Sequence, residues 1–225
     1  MDIVIYLYNG VTALDAIGPY EVLSRLPDVN VKFVAKQKGK IITDTRFLKL
    51  IAEYDILEVE AADILLVPGS TAGFMNEIKD QVVLSWLQKL HKTTRWTTSV
   101  CSGSIILGAA GLLESKKATS HWAAIHLLQD YGSITTNERY VQEGKIVTAQ
   151  GVSAGIDMSL FLADQIVGEK MAKAYQLLIE YDPKPPFSSG NVSQAEKEVI
   201  ELCKMILMKS INKELEYQHS SDMHK

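Results

Sequence analysis

Short apolar or β-branched runs that stop at turn residues recur along the chain, as "DIVIYLY" at 2–8, "DILLVPG" at 63–69 and "RWTTSV" at 95–100. They lack the alternation of half-exposed strands and so predict strands covered on both faces, as in a parallel sheet flanked by helices. Helical patterns lie between them. "LDAIGPYEVLSRL" (14–26) predicts a helix entered at Asp15 with Pro19 in its first turns, followed by strands at 31–36 and 47–52. "QVVLSWLQKLHK" (81–92) sets Val82, Leu84, Trp86, Leu87 and Leu90 at the spacing of an amphipathic helix. Beyond Cys101 the pattern predicts helices to about Leu113 and at 122–132, 153–168 and 169–181, with a hairpin over 139–149 turning at Glu143-Gly144. This order predicts an α/β doubly wound domain, a mostly parallel sheet whose strands meet ligands at their carboxyl ends.

The pattern breaks at "PKPPFSSG" (183–190), which divides the chain into a domain over 1–190, a helix over 191–215 and a flexible tail over 216–225. Val199, Ile200, Cys203, Ile206 and Leu207 fall on one face of that helix, which is expected to dock on the domain or on a dimer partner.

Composition narrows the function classes. A chain of 225 residues, 47% apolar, can bury a full core. The net charge is −4 and no basic cluster stands out, which disfavours nucleic acid and anionic membranes as partners. The opening "MDIVIYLYNG" has no cationic leader, and no apolar stretch approaches the ~20 residues of a membrane span. A soluble, cytoplasmic protein is expected. Cys101 and Cys203 lack metal-type spacing and are too few for a disulfide scaffold, so both are predicted to be free thiols, with no metal site.

Cys101 sits where a buried strand hands over to a helix, within Ser99-Val100-Cys101-Ser102-Gly103. This is the layout of a nucleophile elbow, a sharp strand-to-helix turn that projects one side chain over the sheet edge with small neighbours around it. A helix N-terminus favours a thiolate, but ~0.3–1 kcal/mol lowers a pKa by less than about one unit. The elbow predicts an accessible thiol with a pKa below the free-thiol value that is alkylated far faster than Cys203; the alternative is a small buried residue filling a strand–helix corner. Asp15 opens the helix after the first strand and so belongs to the same sheet edge. It reads either as the acid partner of Cys101 or as a helix-capping carboxylate. A carboxylate beside a thiolate raises both pKa values, so such a pair shares one proton.

"LDAIGPYEVLSRLPDV" (14–29), "VPGSTAGFM" (67–75), "TSVCSGSIILGAAGLLESKKATSHWA" (98–123), "GVSAGIDMSLFLA" (151–163) and "LLIEYDPKPPF" (177–187) together resemble the isonitrile hydratases of the ThiJ/PfpI superfamily, in register from residue 1 to about 190. The resemblance implies a flavodoxin-like, class I glutamine amidotransferase-like fold and addition of water to an isonitrile to give an N-substituted formamide. It implies no cofactor, a small-molecule substrate and a homodimer. Cys101 becomes the nucleophile, Asp15 its acid and Ser102 the residue after it, where these hydratases commonly have threonine. Gly69 and Ser70, with Thr71, stand where the hydratases read Gly-Gly-Thr, and the Ser70 and Ser102 N–H groups are expected to hold developing charge. His121 in "SHWA" is expected in the pocket wall. The sibling activities fit less well: PfpI-type proteases place histidine after the cysteine, and glyoxalase or deglycase relatives place glutamate at the position of Asp15. Regulators with this fold add a DNA-binding domain of roughly a hundred residues, against about 35 residues after Gly190. A redox or small-molecule sensor using Cys101 is the other class to weigh.

Overall fold

Ile3, Val4, Ile5 and Tyr6 of β1 (Asp2–Tyr6) are fully buried, because both faces of this strand are covered by helices and both edges by strands. The computed structural model describes residues 1–222. On one side β1 pairs in parallel with β2 (Asn30–Ala35), and β2 with β5 (Tyr54–Asp55). On the other side come β6 (Ile64–Val67), β7 (Trp96–Val100) and β11 (Ile146–Ala149), all parallel, with β10 (Tyr140–Glu143) antiparallel at the edge. The described residues thus build a seven-stranded sheet in the order β10-β11-β7-β6-β1-β2-β5. Chain progression reverses between β1 and β6, the switch point beside which α/β sheets place their sites, and here the turns that leave the two strands are joined by Thr12 N–H donating to the Gly69 carbonyl at 2.9 Å.

The intervening elements are α1 (Ala13–Leu23), the separate hairpin β3 (Gly39–Ile42) and β4 (Lys49–Ala52), the single turn α2 (Phe74–Glu77), and α3 (Gln81–Thr93). After β7 come α4 (Gly103–Ala109), the short parallel pair β8 (Lys117–Ala118) and β9 (Ile134–Thr135), then α5 (Ala154–Val167) and α6 (Glu169–Leu178). Close contact of α1 with α5 depends on small residues. A β-carbon on Gly155 would meet Pro19 Cγ at 3.0 Å, and one on Gly18 would meet Ile156 Cγ1 at 3.1 Å.

The α/β architecture and the central strands follow the sequence pattern; several details differ. α1 starts at Ala13 with Thr12 at its N-cap, so Asp15 lies inside the first turn and not at the entrance. The strand expected at 47–52 belongs to the β3–β4 hairpin, outside the main sheet. α4 stops at Ala109, four residues before the expected Leu113. The stretch 122–132 forms a 3-10 helix over Ile125–Tyr131, ended by Gly132 at φ 72°.

The chain divides into two compact units, Met1–Ile179 and Glu180–Lys225, a boundary earlier than the expected 190. In the second unit α7 spans Lys197–Asp222, running on past Leu215 through most of the stretch expected as a tail; 223–225 lie outside the described residues. Cys203 is half-buried, while Val199 and Ile206, expected on the docking face, are 40% and 57% exposed.

Two glycines set a contrast that can be measured. A β-carbon on Gly103 would lie 2.0 Å from the Val67 carbonyl oxygen, a backbone atom that cannot swing aside. Gly144, at φ 61° in the hairpin turn, has open space around it. Gly103→Ala is expected to lower unfolding free energy by about 3 kcal/mol or to prevent folding, and Gly144→Ala by only about 1 kcal/mol. Urea unfolding of the two variants checks the order; equal losses would contradict the packing described.

Candidate active site

The turn from β7 into α4 places Cys101 at φ 58°, in the left-handed region that non-glycine residues avoid. Holding a side-chain-bearing residue there costs about 1–3 kcal/mol, offset by bonds on both sides of the residue. The Cys101 N–H donates to the Ala149 and Gln150 carbonyls, both at 3.1 Å. Its carbonyl accepts from Ser120 Oγ at 2.9 Å and Ser104 Oγ at 3.1 Å. Ser104 and Ser120 are therefore structural partners of the elbow. Only His121 in "SHWA" carried a chemical signal in the sequence, and Ser120 beside it gave none.

The turn after β6 passes directly over the elbow. A β-carbon on Gly69 would lie 2.5 Å from the Ser102 nitrogen and 2.8 Å from Cys101 Cβ, so this position requires glycine. Ser70 N–H donates to Ser102 Oγ at 2.9 Å, and that hydroxyl donates back to the Ser70 carbonyl at 2.8 Å. Ser70 Oγ accepts from Phe74 N–H at 2.7 Å, tying α2 to the same turn. The Ser70 N–H, expected to hold developing charge, is thus already engaged by Ser102. Ser102 instead faces Cys101, since both its N–H and its hydroxyl interact with the thiol.

Asp15 is fully buried next to Cys101. Its Oδ2 accepts from Gly69 N–H at 3.1 Å, and the Val152 N–H also favours its charged form. Val152 is β-branched at φ 46°, a strained conformation that turns this N–H toward the carboxyl. Oδ1 is buried with no full hydrogen bond among the described residues, an oxygen free to carry a proton. Loss of water outweighs these donors and pushes the Asp15 pKa from 3.8 up to about 7. Burial first, then the Asp15 charge, pushes the Cys101 thiol well above its ordinary range. The expectation of an acidic, exposed thiol is therefore corrected. Cys101 is only 6% exposed, and desolvation overrides the small contribution of a helix N-terminus.

The fold brings together Cys101, Asp15, Gly69, Ser70 and Ser102. His121 stands apart from their hydrogen-bond network: its Nδ1 accepts from Ala123 N–H at 3.3 Å and its ring packs at 5.6 Å from Trp122. A β-carbon on Gly151 would meet the His121 ring at 2.4 Å, so glycine next to Val152 is what admits the imidazole. Burial holds that imidazole below its usual 6.5, hence neutral at pH 7.

The pair links stability to pH. The native state binds the Asp15 proton more tightly than the unfolded chain, so this stability is fully present below pH ~4 and lost as pH rises toward about 7, on the order of 4 kcal/mol in all. Asp15→Asn is expected to raise unfolding free energy at pH 8 and to change it little at pH 4, read by urea titration. The same variant removes the charge that opposes thiolate formation, so Cys101 is expected to react faster with iodoacetamide at neutral pH. Unchanged stability at pH 8 together with unchanged alkylation would contradict this electrostatic description.

The description "DJ-1/PfpI family" belongs to the family model that matches residues 1–165. The chain is 40% identical to an isonitrile hydratase of Pseudomonas putida over 195 residues, 87% of this chain and 85% of that protein. A crystal structure of a ThiJ/PfpI family protein from Pseudomonas syringae superposes with a TM-score of 0.87 at 33% identity, covering 94% of this chain and 89% of the other. An HTH-type transcriptional regulator of Pseudomonas aeruginosa is 28% identical over 71% of this chain, which spans about half (48%) of that protein's length. Residues 1–165 hold the elbow, the buried acid and the turn that covers them, and on this match the chain belongs to the DJ-1/PfpI family.

Proposed function

We propose that the protein is an isonitrile hydratase in which Cys101 and Asp15 deliver sulfur and hydrogen to the same carbon. The supporting observation is the buried thiol–carboxyl pair, in which Asp15 titrates at about 7 and so carries a proton near neutral pH. Attack on the terminal carbon of an isonitrile leaves the new electron pair on that carbon. Nucleophile and acid must therefore meet at one atom, a geometry suited to side chains in direct contact.

The sequence of steps balances without a cofactor. Thiolate adds to the carbon and Asp15 protonates it, giving a thioimidate, R–N=CH–S–Cys. Water then adds across the carbon–nitrogen bond: oxygen joins carbon as Asp15 carboxylate takes a proton, and that proton passes to nitrogen. The tetrahedral species collapses as the carbon–sulfur bond breaks, releasing R–NH–CHO and restoring one shared proton to the pair. Ser102 N–H steadies the sulfur while it is anionic, and the Ser102 hydroxyl, donating to the Ser70 carbonyl, holds the covering turn in place beside it. No oxyanion donor is needed in the first step, which is consistent with the Ser70 N–H being engaged by Ser102. Burial of Cys101 and its raised pKa weigh against the sensor reading, since redox sensors favour exposed, acidic thiols. The shorter Asp15 weighs against the glyoxalase-deglycase reading.

The reactive form is the pair with a single proton. Turnover (kcat/KM) is expected to rise with pH through an apparent pKa near 7 as the first proton leaves, and to fall when the second follows. With an aryl or cyclohexyl isonitrile, formation of the N-formamide by chromatography should be abolished by Cys101→Ala. Asp15→Asn should reduce kcat by about 100-fold or more, and Ser102→Ala by about tenfold. No formamide from a panel of isonitriles with folded, reduced protein would sink the hydratase reading; turnover surviving Cys101→Ala would sink the nucleophile.

Free Cys101 and Cys203 suit a reducing cytoplasm. The exposed Leu202, Met205, Ile206 and Met208 of α7 leave apolar surface for a second copy, and a homodimer is expected. Light scattering should give twice the chain mass at micromolar concentration, and a monomer mass would exclude it.

A further inference from the structure

Asp44 lies in the turn of the β3–β4 hairpin, and its bonds reach both turns that frame Cys101. Its N–H donates to the Val11 carbonyl at 3.0 Å. Its Oδ2 accepts from Thr12 Oγ1 at 2.6 Å and Thr71 Oγ1 at 3.2 Å, and Oδ1 accepts from Thr45 N–H at 2.7 Å. Thr12 is the N-cap of α1; its carbonyl accepts from Asp15 N–H at 3.1 Å, and its own N–H donates to the Gly69 carbonyl at 2.9 Å. Thr71 directly follows Ser70, and Val11 makes isolated bridges to both Thr43 and Ser70. One carboxylate therefore joins the turn that carries Asp15, the turn that carries Gly69 and Ser70, and a hairpin that belongs to a different sheet.

We propose that Asp44 is a positioning residue for the Cys101–Asp15 pair: it clamps the Asp15 turn to the Ser70 turn, and its negative charge biases the shared proton toward Asp15. In the singly protonated pair the proton can sit on sulfur, leaving carboxylate, or on Asp15, leaving the reactive thiolate. The Asp44 carboxylate binds Thr12, whose carbonyl holds the Asp15 N–H, so its charge acts from the Asp15 side of the pair, disfavours the first arrangement and enriches the second. The Asp44 charge does raise the Asp15 pKa, after burial has done most of the work. The titratable groups facing Asp15 are Cys101 from the elbow, Asp44 from the hairpin and Tyr8 beyond the end of β1, with the Gly69 and Val152 N–H dipoles opposing them. Arg46, in the same turn as Asp44, is the nearest cation along the chain.

The inference rests on the hydratase reading only where turnover is measured, so the experiment has two arms. Asp44→Asn removes the charge and keeps the shape, since threonine hydroxyls accept from an amide as readily as they donate to an oxygen. Asp44→Ala removes charge and clamp together. In the first arm, the rate of Cys101 alkylation by iodoacetamide is followed against pH, with adduct position read by mass spectrometry. Asp44→Asn is expected to move the ascending limb to lower pH by about half a unit and to lower its plateau severalfold. In the second arm, isonitrile turnover by Asp44→Asn should show the same displacement with KM little changed, and Asp44→Ala should lose a further severalfold in kcat. A merely structural role would lower the rate at every pH and leave the limb in place. An Asp44→Asn limb coincident with the wild type overturns the proposal, whether or not Asp44→Ala folds. A displaced alkylation limb in a protein that hydrates no isonitrile upholds the role of Asp44 and removes the hydratase reading instead.

Discussion

The turn after β6 comes so near the elbow after β7 that no side chain fits at Gly69 or Gly103, where a β-carbon would fall within 3 Å of backbone on the facing segment. Parallel pairing of Val67 with Ser99 brings the two strand ends level, and each chain then turns toward the other. Water is excluded from the space between them. The Ser70–Ser102 hydrogen bonds, the bond from Gly69 N–H to Asp15 and the burial of Cys101 all follow from this approach. A bulkier residue at either glycine would separate the turns and rehydrate the pair.

Exclusion of water then governs the chemistry. In solvent Asp15 would be a carboxylate and Cys101 a thiol, with no reason to exchange a proton. Buried in contact, neither charge is cheap, and the pair holds one proton that can move between them. Asp15 is poorly placed for stability as a carboxylate, and the proposed mechanism uses it for proton transfer. Removing its charge should strengthen the fold above neutral pH and, under the proposed mechanism, weaken the reaction, the opposition expected of a group kept for function.

A second buried acid shows that burial alone is not a functional signature. Glu77, at the end of α2, is also pushed up to about 7 by burial, yet it binds the hydroxyl of Tyr6 on β1 at 2.5 Å, away from the elbow. It serves to fasten α2 to the sheet, and the first residue of α2, Phe74, is in turn tied through its N–H to Ser70 Oγ. What separates Asp15 from Glu77 is the company of a buried thiol and an oxygen without a full hydrogen bond.

Strand positions, the parallel sheet and the elbow at Cys101 were legible in the sequence because each is a local matter. Continuous apolar runs report burial on both faces, and a cysteine between a β-branched run and small residues reports a sharp turn. The placement of Asp15 at the same sheet edge followed from topology, since it opens the helix after the first strand. Tertiary structure alone decided what those residues became. Thiol acidity depends on how much water the turn after β6 excludes, and that turn is distant in sequence from the elbow. For the same reason Ser120, Val152 and Asp44 gave no signal: their roles lie in bonds to Cys101, Asp15 and Thr12 that span long stretches of chain. Periodicity over a few residues carries burial and turn geometry. It carries nothing about which distant loop will cover a side chain, and at this site that covering sets where the proton rests.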